Sequence, residues 1–466
     1  MGGTSIPVET PRSREHLLEL WRIAYPLVIS SSSSTVMMFS DRLFLSLYSK
    51  ETLAASLPGG LSSFVLQCLF FGTVGYVSPM VAQHLGAGRP DRGGAITWQG
   101  LYVALFGALA LQLFIPLGPS FFALVGHSAE LVELESQYFA ILLHGAFFNL
   151  GANALSSFFS GIGRTKIVMV ANPLGMVLNL PLSVLLIFGY EPLGLQAQGI
   201  AGAAYGTVAS SALTFFILLR SFLSPAYRVH RTRNWAPDRG LLAGLWRFGL
   251  PSGVQMLFSV GAFNFYVLVL GGLGIDEQAA VNITLSWDLI AFLPQLGFGV
   301  AVASLVGRYV GAGDYDTAVS IPLVGMILAY GYGGFMALTF FFFPGPLITL
   351  FGGVGDHLTY ERVHFLATAM LRLTSLYIMA DATIALYRNA LHGAGDTRFC
   401  MWMASAFSWF GLALPSLFLV RGLGVGLLGA WSWLTGYLAV MAVVYILRFR
   451  SGRWRHLSVI VEDPSA

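Results

Sequence analysis

The sequence predicts an all-α integral membrane protein: about twelve transmembrane helices in two pseudo-symmetric six-helix lobes, related as a parallel repeat. Three observations lead there. The 466 residues are 56% hydrophobic and only 10% charged. Soluble domains run near roughly 25% charged, so lipid must be the solvent for most of this chain. Apolar runs long enough to cross a bilayer recur from end to end, and the second half of the chain repeats landmarks of the first.

The runs place spans 1–6 near residues 18–47, 53–83, 95–116, 137–159, 167–189 and 200–223. Spans 7–12 follow near 248–273, 279–306, 321–343, 363–392, 399–420 and 425–447. They are continuous, unlike the alternating segments of about ten residues that build a membrane β-barrel. The expected organisation is an N-terminal segment (1–17), an N-lobe (18–223), a linker (224–247), a C-lobe (248–447) and a C-terminal tail (448–466). The N-terminus, MGGTSIPVETPRSREHL, has no short apolar core and no cleavage site, so it does not read as a signal peptide.

Arginine and lysine set the orientation. Outside the spans, seventeen fall in the N-terminus, the even-numbered loops and the C-terminus, against three (Lys50, Arg362, Arg421) in the odd-numbered loops. Both termini and the linker RVHRTRNWAPDRG are therefore expected in the cytoplasm, in a multi-pass protein of the plasma (inner) membrane. The opposite loops are acidic, with Glu130, Glu133, Glu135, Glu191, Asp276 and Glu277.

Pro26, Ala54-Ala55 and Gly86-Ala87-Gly88 recur 225 residues later as Pro251, Ala279-Ala280 and Gly311-Ala312-Gly313. Gly161 to Lys166 (GIGRTK) recurs at an offset of 232 as Gly393 to Arg398 (GAGDTR), and Gly202-Ala203 at 227 as Gly429-Ala430. Ordered matches at nearly constant offset mark a duplication. Six spans per copy give both copies the same orientation, with a site expected between them. The two Gly-Ala-Gly turns read as helix ends.

Charge inside the spans is scarce. The acids there are Glu19, at the edge of span 1, and Asp41, Asp288 and Asp381. An acid at bilayer depth costs about 2.5–3.5 kcal/mol, so a buried one marks a functional candidate. Asp41 can serve coupling or pair with Arg42 or Lys50. Asp288 can act or merely line a hydrated wall. Asp381 lies near the middle of span 10, with Arg388 too far along the helix for a tight pair. The repeat positions of Asp41 and Asp381 are Tyr266 and Asn149, so the two lobes carry their acids at non-equivalent places.

Asn172, Asn179 and Ser183 are the polar residues of span 5, and Asn179 and Ser183 share a face. Their oxygens suit either a cation or bonds to neighbouring helices. Asn149, Asn172, Tyr266 and Asp288 are the candidates for the substrate cavity. His144 is either a proton carrier or a hydrogen-bonded structural histidine. Pro26, Pro173, Pro251 and Pro294 offer sites for bending. Cys68 and Cys400 show no metal or disulfide spacing, and no nucleophile elbow, P-loop, zinc motif or dinucleotide fingerprint is present.

At these motifs the chain resembles the multidrug and toxic compound extrusion (MATE) family, from about residue 18 to 447. The resemblance is carried, in order, by MFSDRLFLSL, ETLAAS, VAQHLGAG, SGIGRTK, VLNLPLSVLLIFG, GIAGAAYGT, GLPSGVQMLFSVGAF, ASLVGRYVGAGD and ALHGAGDTR. It implies a secondary active antiporter of alternating access, exporting amphipathic or cationic organic compounds in exchange for protons or sodium. It implies that Asp41 is the ion-coupling acid of the N-lobe and Asp381 the acid of span 10. Asn179 and Thr207 match members of the family's N-lobe cation cluster, but Ser183 stands where a second acid is usual. Ser259 stands where a glutamate is common in span 7. A sodium site would use Asp41, Asn179, Ser183 and Thr207; a lone acid suits protons better.

Against this stand a lipid-linked saccharide flippase of the same superfamily and a multispan lipid-modifying enzyme. Only Arg372 lies deep in a span, which disfavours the basic cavity of the first; no convergent catalytic motif supports the second. The expectation is therefore not an enzyme. It is a monomeric carrier of small molecules in a lipid bilayer, with no cofactor and no nucleic-acid partner.

Overall fold

The computed structural model describes residues 10–124, 127–350, 357–457 and 459–460. The outer parts of the N-terminal segment and the C-terminal tail lie outside the described residues. Span 1 is a single helix, α1 (Thr10–Tyr48). Span 2 is α2 (Lys50–Gly75) and α3 (Val77–Gly86), joined at Tyr76. Span 3 is α4 (Arg92–Gln112), followed by α5 (Gly118–Leu124). Span 4 is a pair, α6 (Ala129–His144) and α7 (Ala146–Gly161), and spans 5 and 6 are α8 (Lys166–Phe188) and α9 (Ile200–Phe222). The second lobe runs α10 (Arg239–Gly271), α11 (Ile275–Gly311), α12 (Tyr315–Phe342) and a short α13 (Pro344–Thr349). It continues with α14 (His357–Ala394) and α15 (Thr397–Ala406). Two π-helical turns around α16 (Leu414–Leu417) lead to Gly422, and α17 (Leu427–Arg450) closes the lobe.

Ten of these segments are long and apolar enough to cross a membrane, and the pair α6–α7 makes an eleventh. The twelfth is α1, which falls short on hydropathy because of its serine run and its charges. That polarity is directed at protein: Ser30 and Ser33 are buried, Asn172 of α8 donates to Ser30, and Ser31 donates to the Leu293 carbonyl of α11 at 3.3 Å. The four prolines singled out in the sequence stay inside continuous helices. The sharpest break is a 45° bend between α6 and α7 at Gly145, where a Cβ would run into Val208 of α9.

The repeat is visible in detail. Gly88, Gly163, Gly313 and Gly395 all adopt left-handed φ between 71° and 93°. Each ends its helix with the same reverse bond, from Arg89 to His84, Arg164 to Phe159, Asp314 to Tyr309 and Asp396 to Leu391, at 2.8–2.9 Å. A side chain would strain that backbone, which is why glycine recurs there.

The lobes meet through α1 and α2–α3 of the first and α10 and α11 of the second, and the contacts are reciprocal. Gly72 packs on Gly253, and Gly297 on Val28; Gly86 packs on the Arg308 carbonyl, and Gly311 on that of Gln83. Both pairs obey the 225-residue offset. Ser78 and Ser304 share a hydrogen bond at 3.0 Å, Gln83 donates to the Gly393 carbonyl at 2.6 Å, and Glu19 pairs with Arg308 while accepting from Tyr309. These ties lie at mid-helix or toward the end that carries the termini. One hydrophobic core there joins both lobes, with Leu20, Val74 and Val77 against Val302 and Leu305. Toward the other end each lobe also has a core of its own, around Leu45, Ala55 and Tyr138 in the first and Tyr266, Met370 and Trp431 in the second. The molecule is thus closed at the terminus-bearing end.

Candidate functional site

In the N-lobe, close packing of α8 on α9 builds the pocket. Small residues let the helices approach: Gly175 faces Ser210 and Thr214, Gly202 faces Leu186, and Gly206 lies against the Ser183 hydroxyl. Into this seam α1 delivers Asp41, whose residue is only 6% exposed. Ser183 donates to Asp41 Oδ1 at 2.8 Å and Thr207 to Oδ2 at 3.0 Å. Asp41 makes no ion pair with Arg42 or Lys50, both of which are exposed, so the carboxylate is matched by two hydroxyls and by no countercharge. Asn179 is fully buried beside it, with its amide within reach of the carboxylate and its Oδ1 without a hydrogen-bond partner. Tyr138 of α6 completes the group and was not foreseen. An isolated interfacial tyrosine carries no signal in sequence; only the approach of α6 to α2 through Gly59 and Gly60 brings it in.

In the C-lobe, close contacts of Gly299 with Ala385 and Asn389, and of Gly393 with Ala303, set the register of α11 against α14. That register puts Asp288 level with Tyr377 and one turn from Asp381, within electrostatic reach of both. Both acids are half-buried, as expected of groups on a wall, and neither makes an ion pair with Arg388. The second lobe therefore holds two neighbouring acids.

The remaining candidates divide. Asn172 spends its amide on Ser30, an interhelical bond. Asn149, half-buried, donates to Gln67 at 3.0 Å within the N-lobe. Tyr266 does not face a cavity in this conformation: it is fully buried in the C-lobe core, donates to the Ala430 carbonyl at 3.1 Å and lies beside Trp431. Its ring is too large and too well packed there to serve as a wall. His144, at the α6–α7 bend, is exposed, and its ring nitrogen is bonded to the Ala140 carbonyl of its own helix at 2.7 Å. Among the described residues no three His, Cys, Asp or Glu side chains gather as a metal site.

A chain with an internal duplication, a closed terminus-bearing end and an acid within the spans of each lobe can be compared with known proteins. The MatE family model matches twice, over residues 26–185 and 251–418, once per lobe. The chain is 30% identical over 453 residues to the probable multidrug resistance protein NorM of Pseudomonas putida, covering 94% of each. It is 27% identical over 454 residues to that of Brucella suis, covering 96% of this chain and 94% of the relative. Among solved structures, a MATE protein in complex with MaL6 superposes with a TM-score of 0.84 at 22% identity, over 94% of this chain and 96% of that one. The eukaryotic MATE transporter AtDTX14 gives 0.83 at 20% identity, over 95% and 97%. These likenesses establish the twelve-helix, two-lobe fold, and the family model with the NorM relatives establishes the lineage: the chain belongs to the MatE family of membrane transporters.

Proposed function

We propose that this protein is a multidrug exporter, moving amphipathic or cationic organic compounds across the membrane by alternating access of its two lobes, with Asp41 as the site of ion coupling. The relatives' naming as multidrug resistance proteins supports the export of drugs. The observation that carries the coupling role is the Asp41 carboxylate, buried with two hydroxyl donors and no countercharge. A charge so placed is costly unless a small cation joins it. A proton does this directly, and the single carboxylate of this pocket favours it. Sodium has one observation on its side: the unpartnered Asn179 Oδ1 adds an oxygen to those of Asp41, Ser183 and Thr207. The half-buried pair Asp288 and Asp381 offers negative charge to a cationic substrate in the other lobe.

The test is Asp41→Asn, which keeps the shape and removes the titratable charge. In proteoliposomes carrying a pH or a sodium gradient, substrate flux is expected to fall at least tenfold, with substrate binding at equilibrium retained. Wild-type flux under both gradients would remove Asp41 from coupling.

A further inference from the structure

The linker between the lobes does more than connect α9 to α10. Its residues 230–236 lie pinned along α4. His230 takes the Pro90 carbonyl at 3.0 Å, Trp98 donates to Thr232 at 2.9 Å, Gln99 to Ala236 at 3.4 Å, and Tyr102 to the Trp235 carbonyl. Gly94 admits the backbone of His230 and Arg231, which a Cβ would block, and Arg231 turns there with a φ of 48°. Asp238 closes the segment by pairing with Arg92 at 3.2 Å and capping Leu241 at 3.0 Å. Burial holds His230 below the ordinary imidazole value.

The pinned side and the free side alternate. His230 and Thr232 are buried, whereas Val229, Arg231, Arg233 and Trp235 are turned out, with Arg228 and Arg239 exposed at either end. Trp235 is 69% exposed and Val229 61%. These apolar side chains stand on a backbone that is held in place. Their depth is ordered as well. Arg231 is held at Gly94, near the start of α4, and Trp235 at Tyr102, about two turns or 12 Å further along the helix. Basic groups nearer the helix end and an indole deeper is the sequence of a membrane interface, where tryptophan sits among headgroups and arginine meets phosphate. Countercharge from the protein is thin. Asp91 approaches Arg231 only to 3.8 Å, Asp238 is engaged by Arg92, and Arg233 reaches the Leu223 carbonyl.

We propose that residues 228–239 form a binding ledge for anionic phospholipid headgroups of the adjacent leaflet, with Arg228, Arg231 and Arg233 on the phosphates and Trp235 in the interface. The ledge is fixed to the N-lobe through α4, so the lipid would hold that lobe at the membrane surface. The proposal rests on the membrane fold and does not depend on which compounds are transported.

The experiment uses the full chain in detergent, titrated with phosphatidylglycerol or phosphatidylcholine, with retained lipid read by native mass spectrometry. Wild-type protein should retain phosphatidylglycerol in preference. Each arginine near an anionic surface is worth about fivefold in binding. The triple variant Arg228→Gln, Arg231→Gln, Arg233→Gln should therefore lose affinity for phosphatidylglycerol by about two orders of magnitude. Trp235→Ala should weaken both lipids alike. All four side chains are exposed, so folding should be unaffected, and the melting temperature without added lipid checks this. The pair Arg450→Gln, Arg453→Gln at the end of α17 serves as a charge control. Unchanged phosphatidylglycerol retention in the triple variant, or an equal loss in the control, overturns the proposal.

Discussion

A carboxylate sealed in a membrane protein is stable only if the structure offers it a partner in each state it visits. At Asp41 the fixed partners are hydroxyls, Ser183 at 2.8 Å and Thr207 at 3.0 Å. The sequence exposed most of this group, because intramembrane acids are rare and Asn179 and Ser183 share one helical face. It did not expose Tyr138, which needs the tertiary approach of α6, nor the pairing of Asp288 with Asp381, which needs the register of α11 on α14. Tyr266 was misjudged for the same reason: repeat arithmetic finds the equivalent position in the chain but not the direction of its side chain. Position 183 is the place to test which ion the pocket takes. Ser183→Asp would put a second carboxylate against Asp41 and beside the open Asn179 oxygen. Two like charges in a buried pocket repel unless a metal cation bridges them. The variant should therefore gain sodium-dependent flux and show thermal stabilisation by sodium that wild type lacks. Equal stability with sodium and with potassium would show that the pocket does not hold the ion.

At the scale of elements, the seam between lobes behaves as a latch built twice. Gly86 against Arg308 and Gly311 against Gln83 bring the ends of α3 and α11 to backbone contact, and Gly72 and Gly297 repeat the approach nearer the middle. The offset of 225 residues made the duplication readable, and the Gly-Ala-Gly turns were read as helix ends. That these turns also border the site of interlobe closure was not readable, because the sequence shows where glycine recurs and not what lies against it. Adding one methyl group at Gly86 forces the Arg308 carbonyl aside. Overpacking of this kind costs about 1–3 kcal/mol. The cost falls only on the conformation in which the lobes touch, so Gly86→Ala should shift the population toward opening by about 5- to 150-fold. Spin labels on the terminus-bearing ends of α3 and α11 should report a longer distance in the variant. Adding Gly311→Ala should contribute less than the first change, since lobes already parted no longer clash there. A distance distribution identical to wild type in the double variant would mean that the contact carries no part of the closed state.

For the whole molecule, closure at one end sets which end of the bundle Asp41 faces, and the arginine asymmetry predicts which side of the membrane that is. The lobes are tied at the terminus-bearing end, where Glu19 meets Arg308 and Gln83 meets the Gly393 carbonyl. Asp41 lies seven residues from the far end of α1, about 10 Å along its axis. This conformation therefore presents the Asp41 pocket toward the side away from the termini. The arginine asymmetry predicts that the terminus-bearing end is cytoplasmic and that Asp41 here opens to the outside, because positively charged loops are retained in the cytoplasm. The linker is the place to test it. Asn234 is exposed between two arginines of that loop and Trp235, and the native Cys68 and Cys400 are both buried. In Asn234→Cys the added thiol is thus the accessible one. A membrane-impermeant maleimide should leave it unlabelled in intact cells and label it fully in inside-out vesicles. Labelling in intact cells would invert the assignment: the side to which Asp41 opens in this conformation would then be the cytoplasmic one.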